Sequence, residues 1–133
     1  MTTVSVRYIV NDVDEAIPFY RDQLGFAVEM HPAPTFAILS RGDLRLLLSA
    51  PSSEGGGGQV LADGRRPEPG GWNRISLEVS GLADEVERLR AAGAHFRSEL
   101  IYGIGGNQIL VEDPSGNPIE LFEPKPRQDA SAS

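Results

Sequence analysis

The sequence predicts an α+β fold built from two tandem βαβββ modules. Three observations carry that reading. Period-two alternation opens each half of the chain, at VSVRYIV (residues 4–10) and RISLEV (residues 74–79). A helical stripe follows in each half and stops at a glycine, Gly25 in the first and Gly93 in the second. Each half then ends in two apolar runs around a tight turn, which is a hairpin signal.

In the first strand Val4, Val6, Tyr8 and Val10 share one face, and Ser5, Arg7 and Ile9 share the other. Asp12 stands where an N-cap belongs, with Glu15 three residues on, as in a capping box. Val13, Ile17, Tyr20 and Leu24 form the apolar stripe of the first helix. Pro18 conflicts with it, because an interior proline costs about 3 kcal/mol, so a kink or a shortened helix is expected. A strand is expected near Phe26–Met30, and TFAILSRGDLRLLLSA gives two more around Gly42–Asp43. That hairpin pairs Leu39 with Leu46 and Ile38 with Leu47. Residues 4–50 thus form the first module.

Residues 74–124 repeat the pattern. Ile75, Leu77 and Val79 share one face of the opening strand, leaving Arg74, Ser76 and Glu78 on the other. Leu82, Val86 and Leu89 recur at helical spacing. A strand near His95–Glu99 follows, and then a hairpin around the turn Asp113–Asn117. Between the modules, residues 51–71 contain four consecutive glycines and exclude a regular element. They form either a flexible linker or a loop that closes over a ligand. The tail, residues 125–133, is expected to be disordered. The whole chain, residues 1–133, is expected to be a single domain.

Composition narrows the function classes. Of 133 residues, 40% are hydrophobic and 23% charged, as in a folded soluble protein. No apolar run reaches the length of about 18 residues needed to span a bilayer, and the N-terminus lacks a signal-peptide pattern. The chain has no cysteine, which removes thiolate nucleophiles and Cys-based metal sites. The net charge of −7 argues against a nucleic-acid partner. The expected setting is cytoplasmic, without membrane association. IYGIGGNQ is glycine-rich, but no helix follows it, which rejects a phosphate loop.

The duplicated βαβββ unit, FYRDQLGF in the first helical region and EDPSGNPIELFEP at the end of the second module resemble the vicinal oxygen chelate superfamily. That superfamily comprises glyoxalases, bleomycin-resistance proteins and extradiol dioxygenases. The resemblance covers about residues 4–124. It implies a curled, cup-shaped mixed sheet with the helices on its outer face and the ligand on the concave face. Metal-using members carry one ligand on the first strand and one on the last strand of each module. The matching positions here are Ser5, Leu47, Arg74 and Glu120. Only Glu120 is a good donor, and Arg74 would repel a cation. No metal or other cofactor is therefore expected.

The concave face implied for this chain carries Ser5, Arg7, Phe36, Ile38, Leu47, Arg74, Gln108, Leu110, Glu120 and Phe122, with Trp72 at the rim and Tyr102 in the IYGIGG loop. Trp72 and Tyr102 suit stacking on a flat ligand, although Trp72 could equally be a lid on the core. Phe36 and Phe122 either contact ligand or fill the core. His31 is a further candidate near the mouth. Arg74 and Glu120 form an ion pair, structural or ligand-binding. Closest in character is the metal-free resistance branch, which implies capture of a hydrophobic or aromatic molecule such as an antibiotic, by a homodimer. The alternatives are a metal-dependent lyase, isomerase or dioxygenase, and a metal-free enzyme with Glu120 or Glu78 as general base.

Overall fold

The computed structural model describes residues 4–51 and 57–126. Two sheets and few helices make up the chain, an α+β arrangement as expected. It divides into two compact units, residues 1–72 with 113–117, and residues 73–112 with 118–133.

In the first unit β1 (Val4–Ile9), β2 (Ala27–Ala33), β3 (Phe36–Arg41) and β4 (Leu44–Ser49) form a sheet of order β1-β4-β3-β2. β1 runs parallel to β4; the other pairs are antiparallel. The hairpin register pairs Leu39 with Leu46 and Ile38 with Leu47, as alternation required. Tyr8, Ala37, Leu39, Leu46 and Leu48 are buried on one face. Ser49, which alternation sends to the other face, is wholly buried as well.

Asp12 caps α1 (Val13–Pro18), its Oδ1 accepting from the Glu15 amide at 3.2 Å. The expected helix does not run on to Leu24 as α-helix. Past Pro18 it widens into a π-helical segment, Phe19–Gln23. Proline offers no N–H to the carbonyl one turn back and its ring crowds that carbonyl, so a wider turn relieves both problems. The detour turns Tyr20 fully inward, edge-on to the rings of Phe19 and Phe26.

The second unit contains β5 (Ile75–Glu78), α2 (Leu82–Ala91), β6 (His95–Phe96), β7 (Ile101–Tyr102), β8 (Gly106–Glu112) and β9 (Pro118–Pro124). The sheet order β5-β9-β8-β6 repeats that of the first, with β7 also on β8. Leu82, Val86 and Leu89 are buried on the helix; Ile75, Leu77, Ile109, Val111, Ile119 and Leu121 are buried on the sheet. No side chain of its own caps α2. Instead the Glu123 carboxylate on β9 accepts from the amides of Gly81 at 2.9 Å and Leu82 at 3.1 Å. Helix starts favour such anions.

The strand expected near His95–Glu99 is broken. Only His95–Phe96 pair with β8, and pairing resumes at Ile101. Ser98 explains the gap: its Oγ accepts from the Leu110 amide at 3.0 Å, replacing a ladder bond with a side-chain bond. Tyr102 is consequently in a strand, not the loop assigned to it from the sequence.

The turn Asp113–Asn117 belongs to the first unit. There Asp113 accepts from the Tyr20 hydroxyl at 2.7 Å, and Asn117 donates to the Ile9 carbonyl at 2.7 Å. Residues 57–71 hold no helix or strand. The rest of the glycine-rich run, like the tail from 127 onward, lies outside the described residues.

Candidate ligand-binding site

Paired residues in a ladder share a face, so register assigns each candidate to a row across its sheet. In the first sheet Arg7, Leu47 and Ile38 stand in one row, which continues to Met30 on β2. Ser5 and Phe36 lie in the rows on either side. Ile38, Leu47 and Phe36 are half-buried, while Ser5 and Arg7 are exposed. Met30 is 49% exposed, and the sequence reading overlooked it. Its signal was available, since the β3 register carries on to β2 wherever a third strand pairs. Gly57 lies against the Arg7 guanidinium, where an added Cβ would meet its carbon at 2.4 Å. His31 Nε2 lies 3.3 Å from the Asp14 carboxylate. Trp72 is 67% exposed, so it does not pack on a core.

In the second sheet one row holds Ser76, Glu120 and Leu110, and the next holds Glu78, Phe122, Gln108 and Ile101. Arg74 precedes β5 on the Ser76 side. Tyr102 pairs with Asn107 and therefore stands on the opposite face from Gln108 and Phe122. Ile101, 45% exposed, is the residue of β7 that stands in the row of Gln108 and Phe122.

Glu120 is the polar centre of this face. Arg74 donates to its Oε1 from Nε at 3.2 Å and from Nη2 at 2.9 Å. Ser76 Oγ donates to its Oε2 at 2.9 Å. The Gln108 amide, its nitrogen set toward the carboxylate by the hydrogen-bond pattern, donates at 3.2 and 3.3 Å. The Arg74 and Glu120 side chains are 28% and 16% exposed, so the pair is largely withdrawn from water.

These residues do not fit a divalent metal. Glu120 would have to give up donors on both of its oxygens. The guanidinium at 2.9 Å occupies the space beside Oε1 with a fixed positive charge. Ser5 offers one hydroxyl and Leu47 none of the atoms a cation needs. Among the described residues no group of three His, Cys, Asp or Glu converges elsewhere.

A family model for the Glyoxalase/Bleomycin resistance protein/Dioxygenase superfamily matches residues 3–121. The chain belongs to this superfamily. Solved structures agree. A superfamily member from Sphaerobacter thermophilus is 26% identical with a TM-score of 0.72, covering 92% of this chain and 97% of its own. TnmS3, an antibiotic binding protein from a Streptomyces species, is 21% identical with a TM-score of 0.70, covering 94% of this chain and 97% of its own. Lactoylglutathione lyase from Agrobacterium tumefaciens is 21% identical with a TM-score of 0.69, covering 92% of each chain. The last two likenesses speak for the fold alone, since this superfamily fold carries more than one chemistry. A comparison with curated proteins finds no match.

Proposed function

We propose that this superfamily member binds a small hydrophobic or aromatic molecule without a metal, and that it protects its cell by sequestering that molecule, an antibiotic being the favoured class. One observation carries the reading. The only carboxylate at the positions of the superfamily's metal ligands is already held by Arg74, Ser76 and Gln108. The same bonds occupy both Glu120 oxygens and favour its charged form, so Glu78 is the better placed base for a metal-free enzyme. Around the pair the face is apolar, through Leu110, Phe122 and Ile101, as ligand sites usually are. The first sheet offers Phe36, Ile38 and Leu47 between Arg7 and Ser5. The fold shared with an antibiotic binding protein is compatible with this ligand class, as it is with the lyase alternative. The proposed state is a cytoplasmic homodimer, since two-fold dimers are the commonest assemblies; sedimentation of the purified chain tests it. Among the described residues no helix is long and apolar enough to cross a membrane.

Titration with a panel of aromatic antibiotics tests the function. The chain has one tryptophan, so quenching of its fluorescence reports on Trp72. A ligand at a hundredfold its Kd adds about 2.7 kcal/mol and raises the melting temperature. A panel that moves neither signal sinks the binding reading. A stoichiometric divalent metal in the purified protein, lost on Glu120→Ala, would restore the lyase or dioxygenase alternative.

A further inference from the structure

The break between β6 and β7 opens a cavity of about 440 Å³ on the helix side of the second sheet. This is the face opposite Glu120: Ile109, in its wall, alternates with Gln108 and Leu110. Ligand pockets commonly span about 300–1,000 Å³. The cavity is fixed in place. Arg97 donates its amide to the Leu110 carbonyl at 2.8 Å, the Leu110 amide donates to Ser98 Oγ at 3.0 Å, and the Arg97 side chain is ion-paired with Glu112 at 2.8 Å.

Its lining divides by chemistry. Val86, Phe96, Leu100 and Ile109 supply an apolar wall. Arg90 supplies charge, its guanidinium 5.0 Å from the centre of the Phe96 ring. Among the described residues that guanidinium meets no acceptor, and the amides of Ser98, Glu99 and Leu100 donate to none. Arg97 is neutralised by Glu112, whereas Glu99 is an exposed negative charge at the rim. An arginine placed over an aromatic ring with no acceptor of its own is available to a carboxylate beside that apolar wall.

We propose that this cavity is a second small-molecule site, taking an amphiphilic carboxylate whose apolar body lies on Phe96, Val86 and Ile109 and whose anion meets Arg90. It is independent of the ligand on the opposite face.

Phenylacetate titrated into the full-length protein and followed by amide and methyl NMR tests the proposal, with phenethylamine as the cationic control. Phenylacetate is expected to shift Val86, Phe96 and Ile109. Arg90→Gln is expected to weaken it about tenfold, the loss of one charge-assisted contact. Glu99→Gln is expected to strengthen it by removing a like charge. Equal binding of phenethylamine, an unchanged affinity in Arg90→Gln, or shifts confined to the opposite face around Phe122 would each overturn it.

Discussion

Glu120 shows how a single residue's role depends on its neighbours. By the resemblance read in its sequence, it matches a ligand position of the superfamily's metal-using members. In the structure its oxygens are taken by Arg74, Ser76 and Gln108, and the charge is spent within the protein. Removing one partner of a withdrawn ion pair leaves the other uncompensated, which costs more than the pair itself contributes. Glu120→Ala is therefore expected to lower stability by about 1–3 kcal/mol, read as a lower urea midpoint at unchanged slope. Glu120→Gln, which keeps an acceptor for Arg74, is expected to lose less. An alanine variant as stable as the parent would show that the pair is ornamental.

Elements were legible where periodicity alone decides them. Both hairpins, α2 and the opening strands follow from alternation and apolar spacing, because burial of one face is local in its demands. The departures have equally local causes that act through atoms a pattern cannot see. Pro18 converts the end of the first helix to a π-helical segment, and the Ser98 hydroxyl breaks the strand after α2. Gly106, at the start of β8, is set by close approach: an added Cβ would come within 2.3 Å of the Glu123 carbonyl and 2.8 Å of the Phe122 ring. Gly106→Ala is expected to force β8 and β9 apart at that end and cost about 1–3 kcal/mol. It is also expected to displace Phe122. Chemical denaturation measures the first effect, and the Phe122 ring resonances report the second.

Across the whole chain the same strand order appears twice, and each unit buries its own core. The turn Asp113–Asn117 is the exception to that sequence-local bookkeeping, since it follows β8 yet belongs to the first unit. Its anchor is the Tyr20 hydroxyl donating to Asp113, 93 residues apart in sequence. Burial, reinforced by the Asp113 charge and hydrogen bond, raises the Tyr20 pKa well above its ordinary value of 10.0. The folded state therefore holds this proton more tightly than the unfolded state does. The corresponding stability is complete below pH 10 and is lost as pH rises beyond it. Tyr20→Phe is expected to cost about 1–2 kcal/mol at neutral pH, by leaving Asp113 one donor short. The variant is also expected to lose part of the alkaline decline in stability. Urea midpoints measured from pH 7 to 11 check both, and an unaltered pH profile would place the alkaline sensitivity elsewhere.

The sequence by itself determined the duplicated βαβββ plan, the register of the first hairpin and the place of the second. These depend on side-chain period and on the chemistry of residue types. Tertiary structure alone decided that Ser76 and Gln108 complete the hold on Glu120, that Ile101 rather than Tyr102 shares the face of Phe122, and that Glu123 caps α2. It also decided that the interrupted strand opens a cavity lined by Arg90. Each of these hangs on an interrupted strand or on a contact between residues far apart in the chain. Such contacts are set by how packed elements meet, and no local pattern records that.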